Sequence, residues 1–246
     1  MARDYGDCKF GSVTQIIGDV LRKPGLEWWF KHNSAEFCDE TSAKGKMIGT
    51  VVHSLIQAHI EEMAFEIETD YQAEVQYAVK SFFKFRRENP NIKLMRAEMK
   101  VTSNKYKYIG TLDCKAKAEV LMILDWKSGE CKVGTPKETE KPPIYPEMEY
   151  QVTAYVKAHN EQEKEQITKA GIMVLAKDKV AYNYMTLSEQ KMDEIFERVF
   201  IPCISIYYYQ KENDSYGKPK ARQGSDNFTK GSRGFTKPGA KLPCSF

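Results

Sequence analysis

No run of apolar residues in the 246-residue chain approaches the roughly 20 needed to cross a bilayer as a helix, so no membrane partner is expected. The N-terminal stretch "MARDYGDCKFGSV" lacks the apolar centre of a secretory signal. The expected compartment is therefore the cytoplasm of a bacterial or virus-infected cell, with an organelle left open. Charge of one sign is not in excess: 37 Lys and Arg against 34 Asp and Glu leave a net +3. A balance that small does not by itself mark a nucleic-acid partner. The six cysteines, Cys8, Cys38, Cys114, Cys131, Cys203 and Cys244, are irregularly spaced and never form C-x-x-C. Converging thiolates are what a zinc or iron–sulfur site needs, so free thiols in a reducing compartment are expected instead. There is no G-x-x-x-x-G-K-[ST], so ATP-driven unwinding would need another subunit. No internal repeat is visible.

What is present is 41% hydrophobic and 29% charged residues, a composition that builds one sizeable core. "SVTQIIGDVL" predicts a helix capped by Ser12 and stopped at Lys23-Pro24-Gly25. "LEWWFKHN" predicts a short helix whose Trp28-Trp29 pair should bury at least one ring. After a polar stretch over 34–45, Ile48, Val51, Val52, Leu55, Ile56 and Ile60 recur with a helical period. "EVQYAVKSFFKFRREN" predicts a further amphipathic helix, closed by Asn89-Pro90.

The pattern then changes. Residues 94–103, 107–118 and 119–128 read as three strands of an antiparallel meander. The Pro- and Gly-rich stretch 129–147 reads as a loop and 148–162 as a helix. Two strands fit within 170–187, and Ser188 caps a final helix that Pro202 should kink or break. From Glu212 onward the chain is Gly-, Ser-, Pro- and Lys-rich, the composition of a disordered basic tail. The expected fold class is α/β (α+β): a central mixed β-sheet flanked by helices, with an N-terminal helical region over 1–92 and a sheet-bearing part over 93–211.

The informative stretch is "GTLDCKAKAEVLMILDWKSGE", 110–130, which carries Asp125 and Lys127 at the end of the apolar run 120–124. Buried charge is costly unless paired or bound to a metal. Strand alternation puts Asp125 and Lys127 on one side and Leu124 and Trp126 on the other. If the last two meander strands pair, Asp113 comes beside Asp125. Two carboxylates and an ammonium at one sheet end suit a hard divalent cation, Mg2+ or Mn2+ rather than zinc. The bland alternative is a solvated strand end with a local Asp–Lys pair.

Gly110-x-x-Asp113, Asp125-Trp126-Lys127 and Gln151-x-x-x-Tyr155, in that order, resemble the PD-(D/E)xK nuclease superfamily. Its RecB-like branch fits best, and "GTLDC…ILDWKS…QVTAY" is similar to the mitochondrial genome maintenance exonucleases and their phage-encoded relatives. The resemblance spans about residues 12–210 and implies a restriction-endonuclease-like core. It also implies that Asp113, Asp125 and Lys127 are catalytic. His53, Asp113, Asp125 and the carbonyl of Trp126 would be metal ligands, and Gln151 and Tyr155 would contact nucleic acid. Glu98, on the strand before Asp113, matches an acidic position seen near such sites. RecB-like relatives with an iron–sulfur cluster use one upstream cysteine and three near the C-terminus. Here that region holds Cys203 and Cys244 alone, so no cluster is expected. His59 and His159 have no motif support and are expected at the surface, and His32 is equally uninformative.

Two stretches combine basic residues with aromatics, which neutralise phosphates and stack on unpaired bases. One is Lys80, Lys84, Arg86 and Arg87 with Phe82, Phe83 and Phe85. The other is the tail, where Lys218 to Lys241 interleave with Tyr216, Phe228 and Phe235. An amphipathic helix and a solubilising end are the plain alternatives. The expected function is a divalent-metal-dependent DNA exonuclease on single strands or frayed ends, in replication, recombination or repair. Its expected partners are DNA and replication or recombination proteins. A structure-specific endonuclease, a non-catalytic nucleic-acid-binding accessory protein and an enzyme on small phosphate esters stay open.

Overall fold

A computed structural model of the chain describes residues 9–64, 69–131 and 144–213. Residues 132–143 of the expected loop, the tail beyond Asn213, Cys8 and Cys244 lie outside the described residues. The order is β1 (Gly11–Ser12), α1 (Val13–Val20), α2 (Pro24–His32), α3 (Ala35–Ile60), α4 (Gln72–Glu88), β2 (Lys93–Ser103), β3 (Tyr108–Lys117) and β4 (Leu121–Gly129). Then follow α5 (Pro146–Gln162), β5 (Lys169–Ala176), β6 (Tyr182–Ser188), α6 (Glu189–Ile195), a π-helical turn (Phe196–Phe200) and α7 (Ile201–Glu212). The mixed sheet flanked by helices is the expected fold class. No described helix is long and apolar enough to cross a membrane.

Side-chain oxygens cap three helix starts: Ser12 accepts from Gln15 N, Ser34 from Phe37 N and Ser188 from Lys191 N. Each satisfies a backbone donor that the first turn leaves open. The sheet runs β1-β3-β4-β5-β6, with β2 on β3. β2, β3 and β4 form the antiparallel meander, β4 and β5 pair in parallel, and β6 returns antiparallel. The parallel pair sits at the centre, and its near-continuous buried runs, Met122–Trp126 and Ala170–Ala176, reflect cover on both faces. One face packs against α1, α5 and α7 through Val13, Val152, Tyr155, Ile172 and Tyr207. The other packs against α3 and α4 through Val52, Ile56, Phe82, Phe85, Leu124 and Trp126.

Several elements depart from expectation. The polar stretch 34–45 is helical and continuous with the periodic segment, because the Ser34 cap starts α3 early and Cys38 anchors it. Neither tryptophan of α2 is buried: Trp28 is 58% exposed and stacks on His32, and α2 buries none of its residues. On α4, Phe82 and Phe85 point into the core against Trp126 and Tyr184 rather than toward solvent. Burying two such rings contributes about 3–6 kcal/mol, whereas the exposed Lys84–Glu88 pair contributes at most about 0.5. The phenylalanines therefore hold α4 in place, and the plain amphipathic alternative applies to that helix. His159 is buried at 1% exposure. Pro202 does not break the last helix. The π turn before it widens the backbone where a proline lacks an N–H and would crowd the preceding turn.

One close approach fixes the layer under β3. A Cβ on Gly110 would lie 2.3 Å from Tyr155 Cε1, so the strand meets α5 only because residue 110 has no side chain. Gly110→Ala should lower stability by about 1–3 kcal/mol through overpacking. Gly18→Ala, at an exposed helical glycine with open space around it, should raise stability by about 0.5–1 kcal/mol. Urea midpoints read both, and an unchanged midpoint for Gly110→Ala would contradict the contact.

Candidate metal centre

The site forms where the sheet forks. β2 occupies one edge of β3, so β1 and β4 share the other. β1 pairs at Tyr108 and Ile109, and β4 pairs from Cys114 to Lys117. The β3–β4 ladder ends at Cys114↔Leu124, and the next pair in register is Asp113 opposite Asp125. There β3 leaves β4. Side-chain alternation slips at the same place: Leu112 packs in the α5 core and Cys114 in the α3–α4 core, although residues two apart on a strand share a face.

Parting two strands inside a protein strips backbone groups of their ladder partners, and buried ones must find others. Both open groups of Trp126 do so. Its N–H donates to Asp113 Oδ2 at 2.9 Å, and its carbonyl lies 3.0 Å from His53 Nε2. His53 arrives from α3, and its Nδ1 lies 3.4 Å from Glu98 Oε1 and 3.5 Å from Asp113 Oδ1. Lys127 Nζ lies 2.6 Å from Asp125 Oδ2. The fork thus gathers His53, Glu98, Asp113, Asp125, Lys127 and the Trp126 carbonyl from α3, β2, β3 and β4.

Asp113 is 1% exposed and Asp125 is fully buried. Burying a carboxylate costs several kcal/mol unless opposite charge and hydrogen bonds offset it. Burial pushes Asp125 up to about 6, against the pull of the Lys127 ammonium and with a further push from Asp113. Burial also works against a charged His53. The Asp113 and Glu98 carboxylates outweigh it and hold the imidazole above its ordinary value. Both ring nitrogens then face acceptors, as an imidazolium requires. With His53 charged, three carboxylates face two cations. With it neutral, the deficit of positive charge grows to two.

That deficit suits a divalent cation, and the donor atoms fit one. Ligand atoms of His53, Glu98 and Asp113 all lie within 4.8 Å of one another, so this His/Glu/Asp cluster is able to hold a metal ion. Beside it, neither oxygen of Asp125 makes a well-formed hydrogen bond among the described residues, although Lys127 pairs ionically with one of them. An anionic oxygen without a donor in a buried site is the feature a bound cation would satisfy.

The two other residues with a motif come from α5. Gln151 Nε2 donates to the Tyr155 hydroxyl at 2.8 Å, and Tyr155 is 1% exposed with its ring against Gly110. Tyr155 packs its ring under β3, and the half-buried Gln151 is the more open of the pair. Three features have no counterpart in the sequence pattern: the β1 pairing that draws β3 away, the Asp113–Trp126 backbone bond, and a positive φ of 47° at Glu98. The alternation of "MRAEMKV" carries no sign of a left-handed glutamate. The four described cysteines, Cys38, Cys114, Cys131 and Cys203, are free and buried.

No protein-family model matches the chain, and no curated protein matches it. Its fold is distantly similar to solved exonucleases. An alkaline exonuclease from Laribacter hongkongensis is 10% identical, with 84% of this chain and 94% of that one covered at a TM-score of 0.39. The same exonuclease in complex with dAMP gives 11% identity, the same coverage and a TM-score of 0.39. A phage related exonuclease from Haemophilus somnus is 13% identical, covering 67% of this chain and 82% of that one at a TM-score of 0.34. At such distance the likeness adds nothing to the chemistry, which rests on the side chains at the fork.

The buried acid has a consequence for stability. The folded chain retains a proton on Asp125 up to about pH 6, whereas an ordinary aspartate loses it near 3.8. The contribution of Asp125 to the stability of the metal-free fold therefore falls as pH rises through that window. Asp125→Asn should make the chain more stable at pH 7.5 in EDTA, by on the order of 1–3 kcal/mol, with the gap closing toward pH 4. Thermal melts at the two pH values check this, and a less stable variant at pH 7.5 would contradict it.

Proposed function

We propose that the chain is a divalent-metal-dependent DNA exonuclease of the PD-(D/E)xK type, acting on single strands or frayed ends in replication, recombination or repair. The observation that carries this reading is the meeting of Asp113, Asp125, Lys127 and His53 at one buried fork of the sheet. A structural ion pair alone does not account for it. A local Asp–Lys pair at a strand end would be solvated, whereas here the carboxylate is fully buried and its Oδ1 has no hydrogen-bond partner among the described residues.

The residues that would hold the cation are His53, Asp113, Asp125 and the carbonyl of Trp126. Mg2+ or Mn2+ matches this oxygen and imidazole set, and the imidazole tilts the preference toward Mn2+. When bound, the cation supplies charge neutralisation at the phosphodiester and a water of lowered pKa. His53 must lose a proton to become a ligand, so uptake of the ion releases protons. Lys127, one-quarter exposed, stands at the edge of the buried pair, where its ammonium would stabilise the negative charge that builds on the phosphoryl oxygens in an in-line attack. The bond to the 3′ oxygen breaks, leaving a 3′-hydroxyl and a 5′-phosphate. Gln151, fixed by Tyr155, faces the strand being cut. The nuclease domain is proposed to span 1–211, with the basic tail from 212 adding phosphate contacts. Exonuclease rather than endonuclease action rests on the resemblance of "GTLDC…ILDWKS…QVTAY" to end-dependent enzymes.

Purified protein should degrade linear single-stranded DNA with Mg2+ or Mn2+ and not with EDTA, and should leave circular single strands intact. Asp125→Ala should be inactive. Lys127→Ala should bind DNA within a few-fold of wild type yet cut about 100- to 1000-fold more slowly. Equal cleavage by wild type and Asp125→Ala would remove the assignment, and cleavage of circles would convert it to an endonuclease.

A further inference from the structure

Glu98 sits in the middle of β2 with φ 47°, a left-handed conformation that an L residue with a long side chain seldom adopts. Such outliers persist where the surroundings over-determine them, and they point from geometry toward function. The β2–β3 ladder steps from Ala97↔Cys114 to Met99↔Leu112, and the pair it passes over is Glu98 and Asp113. Cys114 belongs to the α3–α4 core and Leu112 to the α5 core, so their partners Ala97 and Met99 fall on opposite faces. The left-handed residue thus takes up the slip in alternation. It turns the Glu98 carboxylate toward α3, where Oε1 comes within 3.4 Å of His53 Nδ1.

We infer that Glu98 is a positioning residue: it holds the Nδ1 side of His53 so that Nε2 is presented to the metal. This rests on the reading of the fork as a metal site, which has support independent of Glu98 in the fully buried Asp125 carboxylate, whose Oδ1 has no hydrogen-bond partner among the described residues. The division of labour among the acids follows from their partners. Asp113 accepts the Trp126 N–H at Oδ2, and its Oδ1 lies 3.5 Å from His53 Nδ1. Once Asp113 Oδ1 turns to the ion, Glu98 is the acid that remains on Nδ1. A carboxylate there fixes both tautomer and ring plane and makes the other nitrogen a better donor to metal. The 3.0 Å approach of Nε2 to the Trp126 carbonyl puts that nitrogen beside another proposed ligand.

The test is a double-mutant cycle on Mn2+ affinity, read by electron paramagnetic resonance of free Mn2+ in titrations of the full chain without DNA. Glu98→Gln should weaken Mn2+ binding about 10- to 100-fold. His53→Ala should weaken it at least as much. In the His53→Ala background, Glu98→Gln should cost nothing further, because its effect passes through the ring that has been removed. An unchanged affinity for Glu98→Gln overturns the inference, and so does a loss that is undiminished in the His53→Ala background, which would make Glu98 a ligand in its own right. A wild-type chain that takes up no Mn2+ overturns the metal reading together with this one. Wild-type uptake with an indifferent Glu98→Gln overturns this inference alone.

Discussion

The bond from the Trp126 N–H to Asp113 Oδ2 is the interaction on which the site depends. A sheet strand that abandons its neighbour leaves buried donors and acceptors behind, and each costs about 1–3 kcal/mol if nothing replaces the ladder. Here β3 turns away to meet β1, and a side chain of the departing strand takes over the donor it has exposed. The same event brings Asp113 alongside Asp125 and aims the Trp126 carbonyl at His53. Ladder repair and site assembly are one structural solution.

Electrostatics then leaves the arrangement short of positive charge. Asp113 and Asp125 are withdrawn from water, Glu98 stands close by, and the compensating groups are a lysine and a histidine on the rim. His53 is drawn to its charged form by the acids although burial opposes it. It supplies part of the positive charge that a metal ion would bring. The rest of the fold resists relaxation around this tension. Trp126 is locked under Phe82 on one face, and Gly110 is pressed on Tyr155 on the other. A frame held this tightly on both faces keeps unfavourable polar groups where solvent alone would not.

Much of this architecture was legible in the residues. The apolar run 120–124 ending in Asp-Trp-Lys announced a buried strand with charges at its tip, and alternation correctly separated Trp126 from Asp125 and Lys127. The antiparallel meander was expected, with Asp113 beside Asp125 if its last two strands paired, and Ser12 and Ser188 marked helix starts because their hydroxyls replace missing backbone acceptors. What escaped was context-dependent. The polar start of α3 has no apolar period, so only its cap betrays it. Phe82 and Phe85 are interleaved with cations on α4, which suggests a stacking surface until the helix is seen to lie on the sheet. His159 is buried by the neighbours of α5, and nothing local signals that. The conformation of Glu98 is set by the parting of β3 from β4, a tertiary event with no trace in a seven-residue pattern.

The central claim is that the fork at Asp113 and Asp125 is built for a divalent cation. The most direct measurement is an anomalous difference map from crystals of the chain grown with Mn2+. One strong peak is expected, bounded by His53, Asp113, Asp125 and the Trp126 carbonyl, with His53 Nε2 drawn off that carbonyl and onto the ion. A map with no density there, His53 still resting on Trp126, and Mn2+ ordered elsewhere on the chain would contradict it.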